Sequence, residues 1–133
     1  MPPITIIDDE NVGLWFHPES KIVHHKIRRF LPRGAFRTLL TTGAEYLEKH
    51  GAQRWLSDDR DSVVIPTEEA EWGDTEWAPR VIRAGFRYWA IVTPSTTVAA
   101  LQMKNFMREY RDRGVTVELF DTVEDAMAWL ESR

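Results

Sequence analysis

The chain contains no cysteine. That excludes a disulfide framework, cysteine-ligated zinc and a thiol nucleophile, and it agrees with a reducing compartment, so a cytoplasmic protein is expected. No window approaches the roughly 18 consecutive apolar residues of a membrane span. The N-terminal MPPITIIDDE has neither a basic region nor a long apolar stretch, so no signal peptide is read there. Positive charge is outnumbered: 17 Lys and Arg stand against 21 Asp and Glu, a net charge of −4 that argues against non-specific nucleic-acid binding. Glycine-rich phosphate loops and G-x-S-x-G are missing as well, so no cofactor is expected. Repeats, low-complexity tracts and linkers are also missing, so residues 1–133 read as one domain with its core over about 12–130.

What is present suits an ordinary globular domain. Its 133 residues, 43% of them apolar, can bury a core without staples. Val12 to His17 and Ile22 to Arg29 read as strands joined by the turn residues Pro18, Glu19 and Ser20, an antiparallel hairpin. Pro32 fits the first turn of a helix whose stripe is Phe36, Leu39, Leu40, Ala44 and Leu47, with Gly51 at its end. Gln53 to Ser57 is a short strand. Pro66 opens the next helix, and Pro79, ill suited to a helix interior, predicts a break or kink near Asp74–Thr75. Phe86 to Thr93 reads as a central strand buried on both faces. Thr96 caps a helix with Val98, Leu101, Met103, Phe106, Met107 and Tyr110 facing inward. Val115 to Phe120 is the last strand, and Thr122 with Asp125 caps a final helix. The order ββαβαβαβα implies an α/β domain: a mainly parallel sheet with an N-terminal antiparallel hairpin and covering helices.

Charge is unevenly placed. Lys21, Lys26, Arg28, Arg29, Arg33 and Arg37 crowd one segment, while residues 58–76 hold eight acids against Arg60 alone. Two solvated faces are the simple reading. The sharper one is that basic and acidic faces of two copies meet in a homodimer.

Trp55-Leu56-Ser57-Asp58-Asp59-Arg60, then Glu71-Trp72 with Glu76-Trp77-Ala78-Pro79-Arg80, and finally Phe120-Asp121-Thr122-Val123-Glu124-Asp125-Ala126 with Trp129-Leu130, carry a resemblance. In these segments and in element order the chain resembles the SpoIIAA-like group of small bacterial STAS-like proteins, from about Val12 to Leu130. The resemblance implies a STAS-like fold and a non-enzymatic domain that acts by binding protein partners or, in other branches, small ligands. It also implies a phosphorylatable serine at the helix start after the third strand of that hairpin-first order. Ser57 and Ser62 stand nearest that place, without the usual Asp-Ser-Ser-Gly context.

The best candidate site is the loop Ser57, Asp58, Asp59, Arg60, Asp61 and Ser62, because ligands bind outside the carboxyl ends of parallel strands. Its carboxylates could hold a hard cation, but capping of backbone N–H groups and pairing with Arg60 explain them more simply. His24 and His25 point to opposite faces of a strand and cannot share an ion, so the four histidines read as ordinary surface residues. Trp55, Trp89 and Trp129 fit core packing. Trp72 and Trp77, beside the acidic loop, could line with Trp15 a pocket for an apolar small molecule. The partner- or ligand-binding set is therefore Ser57, Asp58, Asp59, Arg60, Glu71, Trp72, Trp77 and Arg80, with no catalytic and no metal-ligating residue. Two uses are open: a module binding a protein partner or its own copies, and a carrier with a pocket between the broken helix 66–84 and the strand at 53–57.

Overall fold

A computed structural model describes residues 2–29 and 31–133. Six strands form one sheet in sequential order. They are β1 (Ile4–Asp8), β2 (Val12–His17), β3 (Ile22–Ile27), β4 (Arg54–Asp58), β5 (Tyr88–Val92) and β6 (Thr116–Phe120). The helices are α1 (Ala35–His50), α2 (Thr67–Trp72), α3 (Ala78–Ala84), α4 (Thr97–Asp112) and α5 (Val123–Glu131). β1 was not expected from the sequence. It pairs with β2, which is antiparallel to both its neighbours, while β3 to β6 are parallel. Only β2 therefore runs against the rest.

A sequentially ordered parallel sheet has a consequence for layering. Right-handed crossovers that always step the same way lay their helices on one face. Inward residues of α1, α3 and α4 accordingly share one core with Leu14, Phe16, Val23, Trp55 and Ile91. α5 closes the chain on the other face, where Ala126 and Leu130 pack on Ile22, Leu56, Ala90 and Val92. Strand alternation sorts the side chains: Trp55 and Ser57 of β4 face the three crossover helices, and Leu56 and Asp58 face away from them.

Several boundaries differ from expectation for identifiable reasons. α1 starts at Ala35, three residues past Pro32, because Gly34 takes up a left-handed φ of 86° and serves as the N-cap. On α4 the buried stripe is Ala99, Met107 and Tyr110 with Met103 and Phe106 beside it. Val98 and Leu101 fall off that stripe and are 64% and 57% exposed. Thr96 and Thr122 do cap their helices, their side chains accepting from the Ala99 and Asp125 N–H groups.

The expected break between Pro66 and Ala84 takes the form of a widened turn. Gly73–Trp77 is π-helical, and the Ala78 N–H reaches back five residues to the Gly73 carbonyl. One added residue in the turn relieves the clash that the Pro79 ring would make with the carbonyl four residues earlier. The chain stays helical throughout, and Trp77 is turned under the helix, where its indole N–H donates to the Leu40 carbonyl at 2.7 Å.

Candidate functional site

Between the carboxyl half of the sheet and the crossover helices lies a cavity of about 90 Å³. Its floor comes from β3 and β4 through His25, Ile27, Trp55 and Ser57, continued by Asp59 and Ser62 in the loop after β4. Phe36 and Leu40 of α1, Trp77 of the π turn, and Phe86 form one wall. Trp89 of β5 and Met103, Phe106 and Tyr110 of α4 form the other. Ile65, Ala70, Gly73, Asp74 and Glu109 complete the lining. The sheet has no reversal of strand order and hence no switch-point crevice; the space opens under the helices instead.

The floor holds a short polar chain. The Trp55 indole N–H donates to His25 Nδ1 at 2.8 Å, and His25 Nε2 lies 3.1 Å from Asp59 Oδ1. An indole nitrogen can only donate, so Nδ1 must accept, and the imidazole carries its hydrogen on Nε2 and donates it to Asp59. Next to it the Trp89 indole N–H donates to Ser57 Oγ at 2.7 Å. His25, Ser57 and Asp59 are all buried. Asp59 takes no other side-chain hydrogen bond among the described residues.

Serine, histidine and aspartate side by side invite a catalytic reading, and His25 is the register partner of Ser57. The hydrogen bonds argue against it. A triad histidine gives one nitrogen to the carboxylate and keeps the other free for the hydroxyl. Here Asp59 occupies Nε2 and Trp55 occupies Nδ1, so no basic nitrogen is left for Ser57.

The sequence-derived site residues scatter around this cavity. Ser57, Asp59 and Trp77 line it, together with Ser62. Asp58 points to the opposite face. Burial would push its carboxyl up, but the bidentate Arg60 guanidinium at 2.9 and 2.8 Å, with Lys26 at 3.6 Å, holds it below the usual carboxylate value. Asp61 is exposed and 3.8 Å from Lys26. The loop carboxylates therefore diverge, and no group of three metal-binding side chains converges among the described residues. Trp72 lies outside, edge-on to Phe36 and under the Arg37 guanidinium. Trp15 lies on the far face against His24. Arg80 makes a bidentate pair with Glu48, and Glu71 is exposed. Only Trp77 of the expected aromatic trio reaches the cavity. Nor are all the histidines at the surface, since His25 is only 6% exposed.

The charged stretches meet within one chain. Lys26 reaches Asp58 and Asp61, and Arg37 binds Glu69 at 2.9 Å. Ser57 and Ser62 are buried, and the helix after β4 starts at Thr67, so neither serine occupies an exposed helix start. Among the described residues no helix is long and apolar enough to cross a membrane.

The sequence reading took His25 for a surface histidine and Trp55, Trp89 and Tyr110 for core packing, and did not expect them at the site. The signal was the interruption of inward apolar positions: His25 between Val23 and Ile27, and Ser57 and Asp59 after Trp55. No curated protein and no solved structure matches the chain. The sequence pattern of the SpoIIAA-like family matches residues 14–131. With that match spanning β2 from Leu14, β3 to β6 and all five helices, the chain belongs to the SpoIIAA-like family.

Proposed function

We propose that the domain is a non-enzymatic module that takes a small, mainly apolar molecule into this cavity. STAS-type domains such as the SpoIIAA-like ones often act in protein interactions, and occupancy of the cavity would set how the helices above it meet a protein partner. The helix 66–84 and β4 both contribute residues to the lining, as a carrier would need.

One observation carries the proposal. Gly73 is buried inside a helix at φ −59° and ψ −41°, a conformation open to every residue. A Cβ added there would meet nothing within 4 Å. Neither backbone geometry nor close packing calls for glycine, and a helix-interior glycine costs about 1 kcal/mol relative to alanine. What the missing side chain leaves is room at the cavity, whose lining includes Gly73. A largely apolar, preformed space with a few fixed polar groups is the usual form of a small-molecule site.

Gly73→Leu tests this. The leucine side chain should enter the cavity without lowering stability, and a ligand retained by the wild-type protein in native mass spectra should be lost. A stable Gly73→Leu protein that keeps the same adduct would refute the location.

A further inference from the structure

The cavity's chemistry narrows the class of ligand, on the reading that the cavity is a binding site. The acidic residues Asp59, Asp74 and Glu109 are in its lining, and among the described residues no lysine or arginine is. Asp74 is already paired with Arg113, whose guanidinium lies over the Tyr110 ring, 6.0 Å from its centroid. Asp59 is different. It is 2% exposed, and its one side-chain partner among the described residues is the His25 imidazole, which donates its Nε2 hydrogen to it. Lys26, the nearest candidate on the adjoining strand, is turned to the other face and held by Asp58. Burying a carboxylate without a cation is costly, and Asp59 has an oxygen to spare for a donor.

Around this carboxylate the walls are aromatic. Trp55 and Trp77 stand edge to face at 5.3 Å, and Tyr110 lies 4.9 Å from Trp89 and 6.4 Å from Trp77. Ring faces carry negative potential and attract organic cations, most strongly in desolvated cages. Carboxylate and ring faces thus ask for the same thing, an apolar body with a positive charge. The space accommodates about six waters, or a ligand of about that many non-hydrogen atoms.

We infer that the cavity selects a small organic ammonium ion, held by the Trp55, Trp77, Trp89 and Tyr110 rings with Asp59 as counter-charge. Fatty acids and other anions are excluded by the same groups.

Choline, its uncharged isostere 3,3-dimethylbutanol and the anion butyrate are comparable in bulk and separate charge from shape. Titrations followed by tryptophan emission should give choline a dissociation constant about tenfold or more below that of dimethylbutanol, with butyrate weaker still. In Asp59→Asn, whose side-chain oxygen can still accept from His25, the preference for choline should shrink at least severalfold. Should that variant fail to fold, the wild-type comparison decides alone, because choline and dimethylbutanol differ in charge and hardly in shape. Dimethylbutanol or butyrate binding as tightly as choline would overturn the inference and leave the cavity a ligand site. Failure of all three to bind would overturn it as well, and a Gly73→Leu protein that keeps its native adduct would separately bring down the reading beneath it.

Discussion

Gly43 controls whether the floor of the cavity can form. It sits in α1 directly against the Trp55 ring, and a Cβ there would lie 2.2 Å from Cη2 and 2.7 Å from Cζ3. The ring cannot simply swing aside. It is 1% exposed, edge-on to Trp77, beside Phe86 at 6.4 Å, and tied by its indole N–H to His25. On an open helix Gly→Ala gains about 1 kcal/mol. Here overpacking costs about 1–3 kcal/mol. Displacing the indole also strands a buried acceptor on His25, about 1–3 kcal/mol more where the bond is lost outright. Gly43→Ala should therefore destabilise by about 1–3 kcal/mol net. Urea unfolding should show a lower midpoint with an unchanged slope. In a Trp55→Phe background the clashing ring edge is gone, so the same change should be neutral or stabilising, a coupling of about 1–3 kcal/mol. A Gly43→Ala protein as stable as wild type would refute the packing argument.

Trp55→Phe alone removes the donor that fixes His25. The wild-type imidazole should report hydrogen on Nε2 in long-range ¹H–¹⁵N spectra, and the variant should lose that single tautomer along with about 1–3 kcal/mol of stability; an unchanged imidazole pattern would contradict the assigned chain. On the far face, burial, with the neighbouring His17, His25 and Lys26 charges adding to it against Asp58, pushes His24 down to about 3 from its ordinary 6.5. The unfolded chain then binds the extra proton first, so stability should fall as pH drops below 6.5, by about 2 kcal/mol at pH 5. His17, 3.2 Å away and also lowered by burial, adds loss of the same sign. A His24→Phe variant that keeps the full slope between pH 6.5 and 5 would exclude His24 as its source. Arg60→Ala should cost about 1–2 kcal/mol at pH 7, because it leaves buried Asp58 with Lys26 alone. Asp58 is depressed below its ordinary 3.8, so its stabilisation is lost only as pH falls through its lowered value. The Arg60→Ala penalty should fade there and not near pH 6; a penalty that disappears by pH 5.5 would refute the pairing.

The parallel sheet and its helices were legible because each element carried its own period and punctuation, such as the Thr96 and Thr122 caps and Gly51 and Gly85 at the ends of α1 and α3. β1 was not, because Ile6 and Ile7 both pack toward the same core across a register shift between Thr5 and Ile7, and the strand alternation is lost within five residues. Pro79 announced an interruption but could not say that the helix would absorb it by widening a turn. The loop at 57–62 could be read as a candidate site from its position after a parallel strand. Its division was not: alternation sends Asp58 to one face and leaves Asp59 on the other, and only packing shows which face has room. Trp72 and Trp77 looked equivalent in sequence, yet the π turn rotates Trp77 inward and leaves Trp72 outside, under the Arg37 guanidinium.

The six tryptophans provide the most direct measurement of all. Their indole N–H resonances in ¹H–¹⁵N spectra, assigned by single Trp→Phe changes and followed as choline is added, place the ligand. Trp55, Trp77 and Trp89 should shift together and saturably, while Trp15, Trp72 and Trp129, which lie outside the cavity lining, should stay. Saturable shifts at Trp15, Trp72 or Trp129 with the other three unmoved would put the binding site elsewhere and contradict the assignment of the cavity.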